Sequence, residues 1–311
     1  MMLTRETWKG PWAGLPVAWD AQDRFDEAAY RADVRRCCEA GIPGVYTGGT
    51  TGEFYAIEID EFREISRATV EECHSHGAPA MIGCSATSTK GATRRARIAA
   101  ELGADAIQVT LPFWMEVGDR DIVPFFKAVS DASGGLPLSV YETKRCKRVL
   151  TVEEHRMVRE AVPSYLMVKS NAGTIGATKE GCQELSEFVN VFAAEIFWKD
   201  LADCGIAGAC SAMVYWNPTY VLGLWNQVRE SNSEALVAAH RDIIRLHEFF
   251  AAEFGPRGFT DTAYDRLLGN ALGILQTSYR SRGPYPSPTG EDARVVQTWC
   301  HENFPEFLRN L

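Results

Sequence analysis

A chain of 311 residues can hold two average domains or one large barrel with an extension. Its formal charge of −9 weighs against nucleic acid or an anionic membrane surface as the main partner, and 46% hydrophobic content is ordinary for a soluble globular protein. No apolar run has the length of a membrane span, the first eight residues lack the apolar core of a signal peptide, and none of the nine cysteines forms a C-x-x-C pair, so the chain reads as a reduced cytoplasmic protein.

Eight short apolar runs read as buried strands, at residues 13–19, 44–47, 80–84, 106–111, 136–141, 166–169, 191–194 and 208–213. Helical patterns lie between them. Ala92, Ala96 and Ala99 line one face ahead of Gly103, a natural cap, and Ile122, Phe125, Phe126 and Val129 repeat at helical spacing. Thr151-Val152-Glu153-Glu154 is a capping box, and Asn217-Pro218 pairs an N-cap with proline at the first helical position. Alternating strands and helices predict an α/β fold, a (β/α)8 TIM barrel over residues 1–230. An open doubly wound sheet is the competitor, but Asp20-Ala21-Gln22-Asp23 after the first strand is no nucleotide-binding turn. From 231 to 311 strand patterns cease. Leu236, Ala239, Ile243, Leu246 and Phe250 form one helical stripe, and Tyr264, Leu267, Leu268, Ala271, Leu272 and Leu275 another, which predicts a C-terminal helical extension packed on the barrel.

Barrel active sites lie at the C-terminal ends of strands. The sixth strand, Leu166-Met167-Val168, ends in Lys169. An ammonium in an apolar setting is costly, so burial favours the neutral amine, which attacks carbonyls to form Schiff bases. The plainer reading is a lysine that snorkels to solvent or pairs with a carboxylate. The fifth strand ends in Tyr141, either a proton shuttle or a rim residue with a hydrogen-bonded hydroxyl. The second ends in Gly48-Gly49-Thr50-Thr51-Gly52-Glu53, whose glycines, hydroxyls and amides suit a carboxylate or phosphate, or simply a turn with a threonine cap. Together they make a coherent site for a 2-oxo acid.

Other candidates are weaker. Cys73-His74-Ser75-His76 has no common zinc spacing and ends a predicted helix, where histidines suit the dipole. Lys199 is the runner-up nucleophile, with an ion pair to Asp200 as its alternative. Lys144, Arg145, Lys147 and Arg148 place four basic residues in an acidic chain; a second anionic substrate group, a solvated loop and a subunit contact are all compatible with them.

At these residues the chain resembles the dihydrodipicolinate synthase / N-acetylneuraminate lyase family of class I aldolases. The matching segments are Gly49-Thr50-Thr51-Gly52-Glu53, Tyr141, Val168-Lys169 with Ala172-Gly173, and Gly205-Ile206-Ala207-Gly208 with Ser211. The resemblance implies that Lys169 forms the Schiff base, Tyr141 moves protons, and Thr50 and Thr51 hold the substrate carboxylate, with Thr50 bonded to Tyr141. Gly49 and Ser211 complete the implied substrate-binding set. It further implies no metal, no organic cofactor and a homotetramer built from dimers. Two departures stand out. Pro112-Phe113-Trp114-Met115 replaces a tyrosine pair of the synthases, and Cys146 stands where their second-substrate arginine aligns. Both point to a divergent member with another substrate. The expected activity is a Schiff-base lyase on pyruvate or a related 2-oxo acid, by aldol cleavage or condensation, dehydration or deamination, with sugar-acid and hydroxyproline catabolites among the candidate substrates. The alternative is a catalytically weak 2-oxo acid-binding or regulatory barrel.

Overall fold

The computed structural model describes residues 3–308. Eight parallel strands close into a barrel in chain order: β1 Gly10–Gly14, β2 Val45–Thr47, β3 Ala80–Gly83, β4 Ala106–Val109, β5 Leu138–Tyr141, β6 Tyr165–Ser170, β7 Asn190–Ala193 and β8 Ile206–Ser211. Helices follow each strand in turn: α1 Glu27–Glu39, α2 Ile59–Ser75, α3 Thr89–Glu101, α4 Asp119–Ala132, α5 Val152–Ala161, α6 Lys179–Ser186, α7 Trp198–Leu201 and α8 Pro218–Arg229. Three more complete the C-terminal region, α9 Ser233–Phe254, α10 Asp261–Ala271 and α11 Gly290–Asn303. This is the (β/α)8 TIM barrel expected from the alternation of patterns.

Local chemistry explains most boundaries. Thr151 and Glu154 close the capping box of α5, and the Asn217 side chain accepts from the Tyr220 amide at the start of α8. Gly103, at φ +82°, follows α3 in the left-handed region that ends helices. The expected α9 stripe is the buried face of that helix.

Two strands differ from expectation. The first lies earlier than residues 13–19, because Pro16 has no N–H to continue a ladder. The chain past it stays buried and forms only a bridge between Trp19 and Phe25. The last strand runs from Ile206 to Ser211, two residues earlier than the expected 208–213, so Gly208 sits in its middle rather than at its start. A Cβ on Gly208 would stand 2.2 Å from the Gly10 carbonyl oxygen, so only glycine fits there.

By internal contacts the chain forms two compact units. The first joins the N-terminal segment up to Gly10 to Pro79–Cys210; the second comprises Pro11–Ala78 and the chain from Ser211 onward. Within the first unit the barrel interior is layered. Gln108 pairs with Ser139 and Ser139 with Met167, and the Gln108 amide donates to the Ser139 hydroxyl at 3.1 Å. Two residues further along, on the same face, come Tyr141 and Lys169, which are direct ladder partners. Within the second unit the C-terminal segment docks on α1, where the buried Asp33 carboxylate accepts the Gln276 and Thr277 amides at 2.6 and 3.0 Å. Among the described residues no helix is long and apolar enough to cross a membrane.

Candidate active site

In the first unit, Lys169 and Tyr141 close the C-terminal ends of β6 and β5. They are 9% and 5% exposed, and the Lys169 nitrogen stands 4.1 Å from the centre of the Tyr141 ring. The ring's negative face attracts a cation, and the contact places an amine beside a phenol. The ladder continues past both residues. The Glu142 amide donates to the Lys169 carbonyl at 3.0 Å, and the Asn171 side chain donates to the Glu142 carbonyl at 2.9 Å. The two strand ends are thus tied on each side of the lysine.

Gly173, at φ +79°, turns the chain away from this end, and the Lys144 side chain lies across it. A Cβ at position 173 would meet the Lys144 nitrogen at 2.2 Å, a contact the flexible lysine relieves by moving, so it is the left-handed backbone that favours glycine there. The rest of the basic stretch is divided. Lys147 donates to the Trp114 carbonyl and lies 5.7 Å from the centre of that ring. Arg148 is held by Asp119, Glu154 and the Val117 carbonyl. Lys144 and Arg145 are exposed. Cys146 is buried, its thiol against the Thr110 hydroxyl and the Leu111 carbonyl, so the position aligned with the synthases' arginine presents no cation. Trp114 is 74% exposed, whereas Trp198 is buried with its indole donating to the Ala193 carbonyl, so these two tryptophans do not share one role. Glu142 is buried and accepts the Leu150 amide at 3.0 Å; burial pushes its carboxyl up to about 8.

In the second unit the turn after β2 carries the threonines. Gly48 is left-handed at φ +71°, and a Cβ on Gly52 would come within 2.7 Å of the Gly48 nitrogen. The Gly49 carbonyl accepts from Phe54 and the Thr50 carbonyl from Glu53, which closes the turn. Thr50 and Thr51 are half-buried within it. The Thr51 hydroxyl donates to the Asp265 carboxylate at 2.6 Å, and the Thr262 hydroxyl donates to the Thr51 carbonyl at 2.8 Å. Glu53, itself left-handed at φ +50°, is wholly buried. Its carboxylate receives the Arg266 guanidinium at 2.5 Å, the Trp19 indole at 2.6 Å and the Arg282 amide at 2.9 Å. Ser211, at the end of β8, is buried and its hydroxyl accepts the Val214 amide at 3.2 Å.

Trp19, Asp265 and Arg266 were not among the residues singled out in the sequence. The one available signal was an acid and an arginine, Asp265 and Arg266, inside an otherwise apolar helical stripe. The weaker candidates fall where the plain readings put them. Lys199 pairs with Asp200 at 2.8 Å beyond β7. At the end of α2, Cys73 is buried while His74 and His76 are exposed, and the His76 ring donates to the Glu72 carbonyl at 3.0 Å.

Comparison with known proteins agrees with this architecture. A probable 5-dehydro-4-deoxyglucarate dehydratase of Rhodococcus opacus is 26% identical over 235 residues, covering 74% of this chain and 76% of its own. An N-acetylneuraminate lyase of Escherichia coli is 26% identical over 168 residues, 54% of this chain and 56% of its own. YagE, a prophage protein of E. coli K12 solved in complex with pyruvate, has the same fold: its TM-score is 0.84 at 16% identity, over 95% of this chain and 98% of its own. The model of the dihydrodipicolinate synthetase family matches residues 9–265. The chain belongs to the dihydrodipicolinate synthetase family.

Proposed function

We propose that the protein is a Schiff-base lyase acting on pyruvate or a related 2-oxo acid, with Lys169 as nucleophile. The observation that carries the reading is the buried Lys169 amine against the Tyr141 ring at paired strand ends, where barrel enzymes work. Family membership supports the reaction class, since named relatives include a lyase and a dehydratase.

In this reading the Lys169 amine adds to the keto carbon. The carbinolamine loses water to leave an iminium, which accepts the electron pair released when the C3–C4 bond breaks or a proton leaves C3. Tyr141 delivers and removes the protons that addition and dehydration require. Thr50, Thr51, Gly49 and Ser211 hold the carboxylate, with turn amides as donors. The reading extends to a homotetramer of paired dimers and to a reducing cytoplasm, in which the nine free cysteines stay thiols.

The test is borohydride trapping. The protein is incubated with pyruvate, reduced and digested, and the adduct is located by peptide mass spectrometry. The expected result is an adduct on Lys169, absent from a folded Lys169→Ala variant. An adduct on Lys199 moves the site, and binding of 2-oxo acids without any adduct replaces the lyase by a ligand-binding barrel.

A further inference from the structure

We infer that Cys38 and Cys73, in the last turns of helices α1 and α2, form a site of reversible oxidation that a hydroperoxide closes to a disulfide. The inference goes beyond the lyase reading and does not depend on it. Both helices belong to the second unit and pack side by side. Polar contacts fix their register. The Tyr30 and Thr69 hydroxyls stand 2.9 Å apart, Arg31 pairs with Glu71 at 2.5 Å, and Arg35 pairs with Glu72 at 2.9 Å. Cys38 lies one turn past Arg35 and Cys73 one turn past Thr69, on the faces that carry these contacts. There the two thiols are hydrogen-bonded to each other, with Cys73 as donor.

The two thiols differ in access. Cys38 is half-buried, whereas Cys73 is wholly buried. The Cys73 S–H stabilises a thiolate at Cys38 and holds that thiol below its usual range, although burial and the Glu39 and Glu72 carboxylates oppose it. An accessible thiolate with a second thiol in contact is the arrangement that oxidation turns into a disulfide. Of the nine cysteines only Cys38 and Cys210 are not fully buried, and the Cys210 sulfur accepts from the Gln108 amide at 3.7 Å.

The reaction takes two steps. The Cys38 thiolate attacks one peroxide oxygen; the O–O bond breaks, the departing oxygen takes a proton, and Cys38 becomes a sulfenic acid. The Cys73 sulfur then attacks the Cys38 sulfur; the S–O bond breaks, the hydroxyl leaves as water with the Cys73 proton, and the S–S bond forms. The two thiols give up two electrons, which reduce hydrogen peroxide to two waters, or an organic hydroperoxide to an alcohol and water. Thiol exchange with a dithiol reductant reverses the link, so in a reducing compartment it is transient. The bond closes a loop that holds β2 and the Gly49-Thr50-Thr51 turn.

The test exposes the whole protein to hydrogen peroxide, unfolds it in N-ethylmaleimide, and maps every cysteine by peptide mass spectrometry without reduction. The expected result is that Cys38 and Cys73 lose alkylation together and appear in one linked peptide pair, which dithiothreitol separates. In a Cys38→Ser variant the loss at Cys73 is expected to slow by at least about tenfold, since a wholly buried thiol is inert. In a Cys73→Ser variant Cys38 is expected to stop at the sulfenic acid, which dimedone added afterwards traps. Cys38 that accumulates as the sulfenic acid in the wild type, links to Cys37 instead, or is still alkylated after Cys210 has been oxidised overturns the inference. The wild-type map decides by itself if either variant does not fold.

Discussion

Glu53 and Glu142 invite comparison. Each follows a strand end that carries candidate site residues, and they are 0% and 3% exposed. Their surroundings are opposite. Glu53 has a buried guanidinium, an indole N–H and a backbone N–H. Glu142 has one backbone N–H, and burial is the dominant influence on it, with the Glu154 carboxylate adding to the rise and Arg148 opposing it. A carboxylate removed from water needs a full set of charged or hydrogen-bonding partners, and without one it takes up a proton. The Thr50-Thr51 turn is therefore braced by an ion pair, while the loop after Tyr141 is braced by a neutral acid. The lesson is that two equally buried carboxyl groups differ in the partners the fold gives them.

The sharpest division of labour would be between chemistry beside Glu142 and support beside Glu53. Tyr141→Phe is expected to lower kcat by about 10²–10⁴ while leaving the fold intact. Steady-state kinetics checks it, and unchanged turnover removes the tyrosine from the mechanism. Arg266→Ala leaves Glu53 buried without its cation, for an expected loss of about 3–5 kcal/mol in urea denaturation. A loss under about 1 kcal/mol would mean that the indole and amide satisfy Glu53 alone, and the contrast with Glu142 would shrink. The double variant Arg266→Ala, Glu53→Gln should recover part of the loss.

The third expected effect is on pH dependence. Between the ordinary glutamate value and about 8, Glu142 holds its proton in the folded protein and loses it on unfolding. The unfolded state then binds fewer protons, so the contribution of this group to stability falls as pH rises through that window. Glu142→Gln keeps an acceptor for the Leu150 amide and removes the titration. Denaturation midpoints measured from pH 5 to pH 8 should decline less in the variant; an identical slope would place the ionised form of Glu142 in the native protein.

Much of the fold was legible in the sequence because the signals are local. Apolar runs and helical stripes repeat with the geometry of the backbone, and caps act within three or four residues. The α5 capping box, the α8 N-cap, the Gly103 terminus and the buried face of α9 follow from neighbours in the chain. Lys169 was visible for the same reason: an ammonium ending an apolar run is anomalous without reference to any other segment. The first strand was misplaced because residues 15–19 are as apolar as a strand, yet they are buried by packing rather than by ladder pairing.

The sequence by itself determined the alternation of strands and helices and marked a lysine, a tyrosine and a glycine-threonine turn at strand ends. Only the tertiary structure decided what those residues touch. Thr51 meets Asp265 across 214 positions and Glu53 meets Arg266 across 213, and such partners are chosen by how α10 packs, which no local pattern encodes. Packing likewise divided the basic stretch, tying Arg148 to Asp119 and Glu154 while Lys144 lies across Gly173. It also gave Glu53 and Glu142 opposite surroundings, and the cost of burying a carboxylate depends on partners that the fold alone brings within reach.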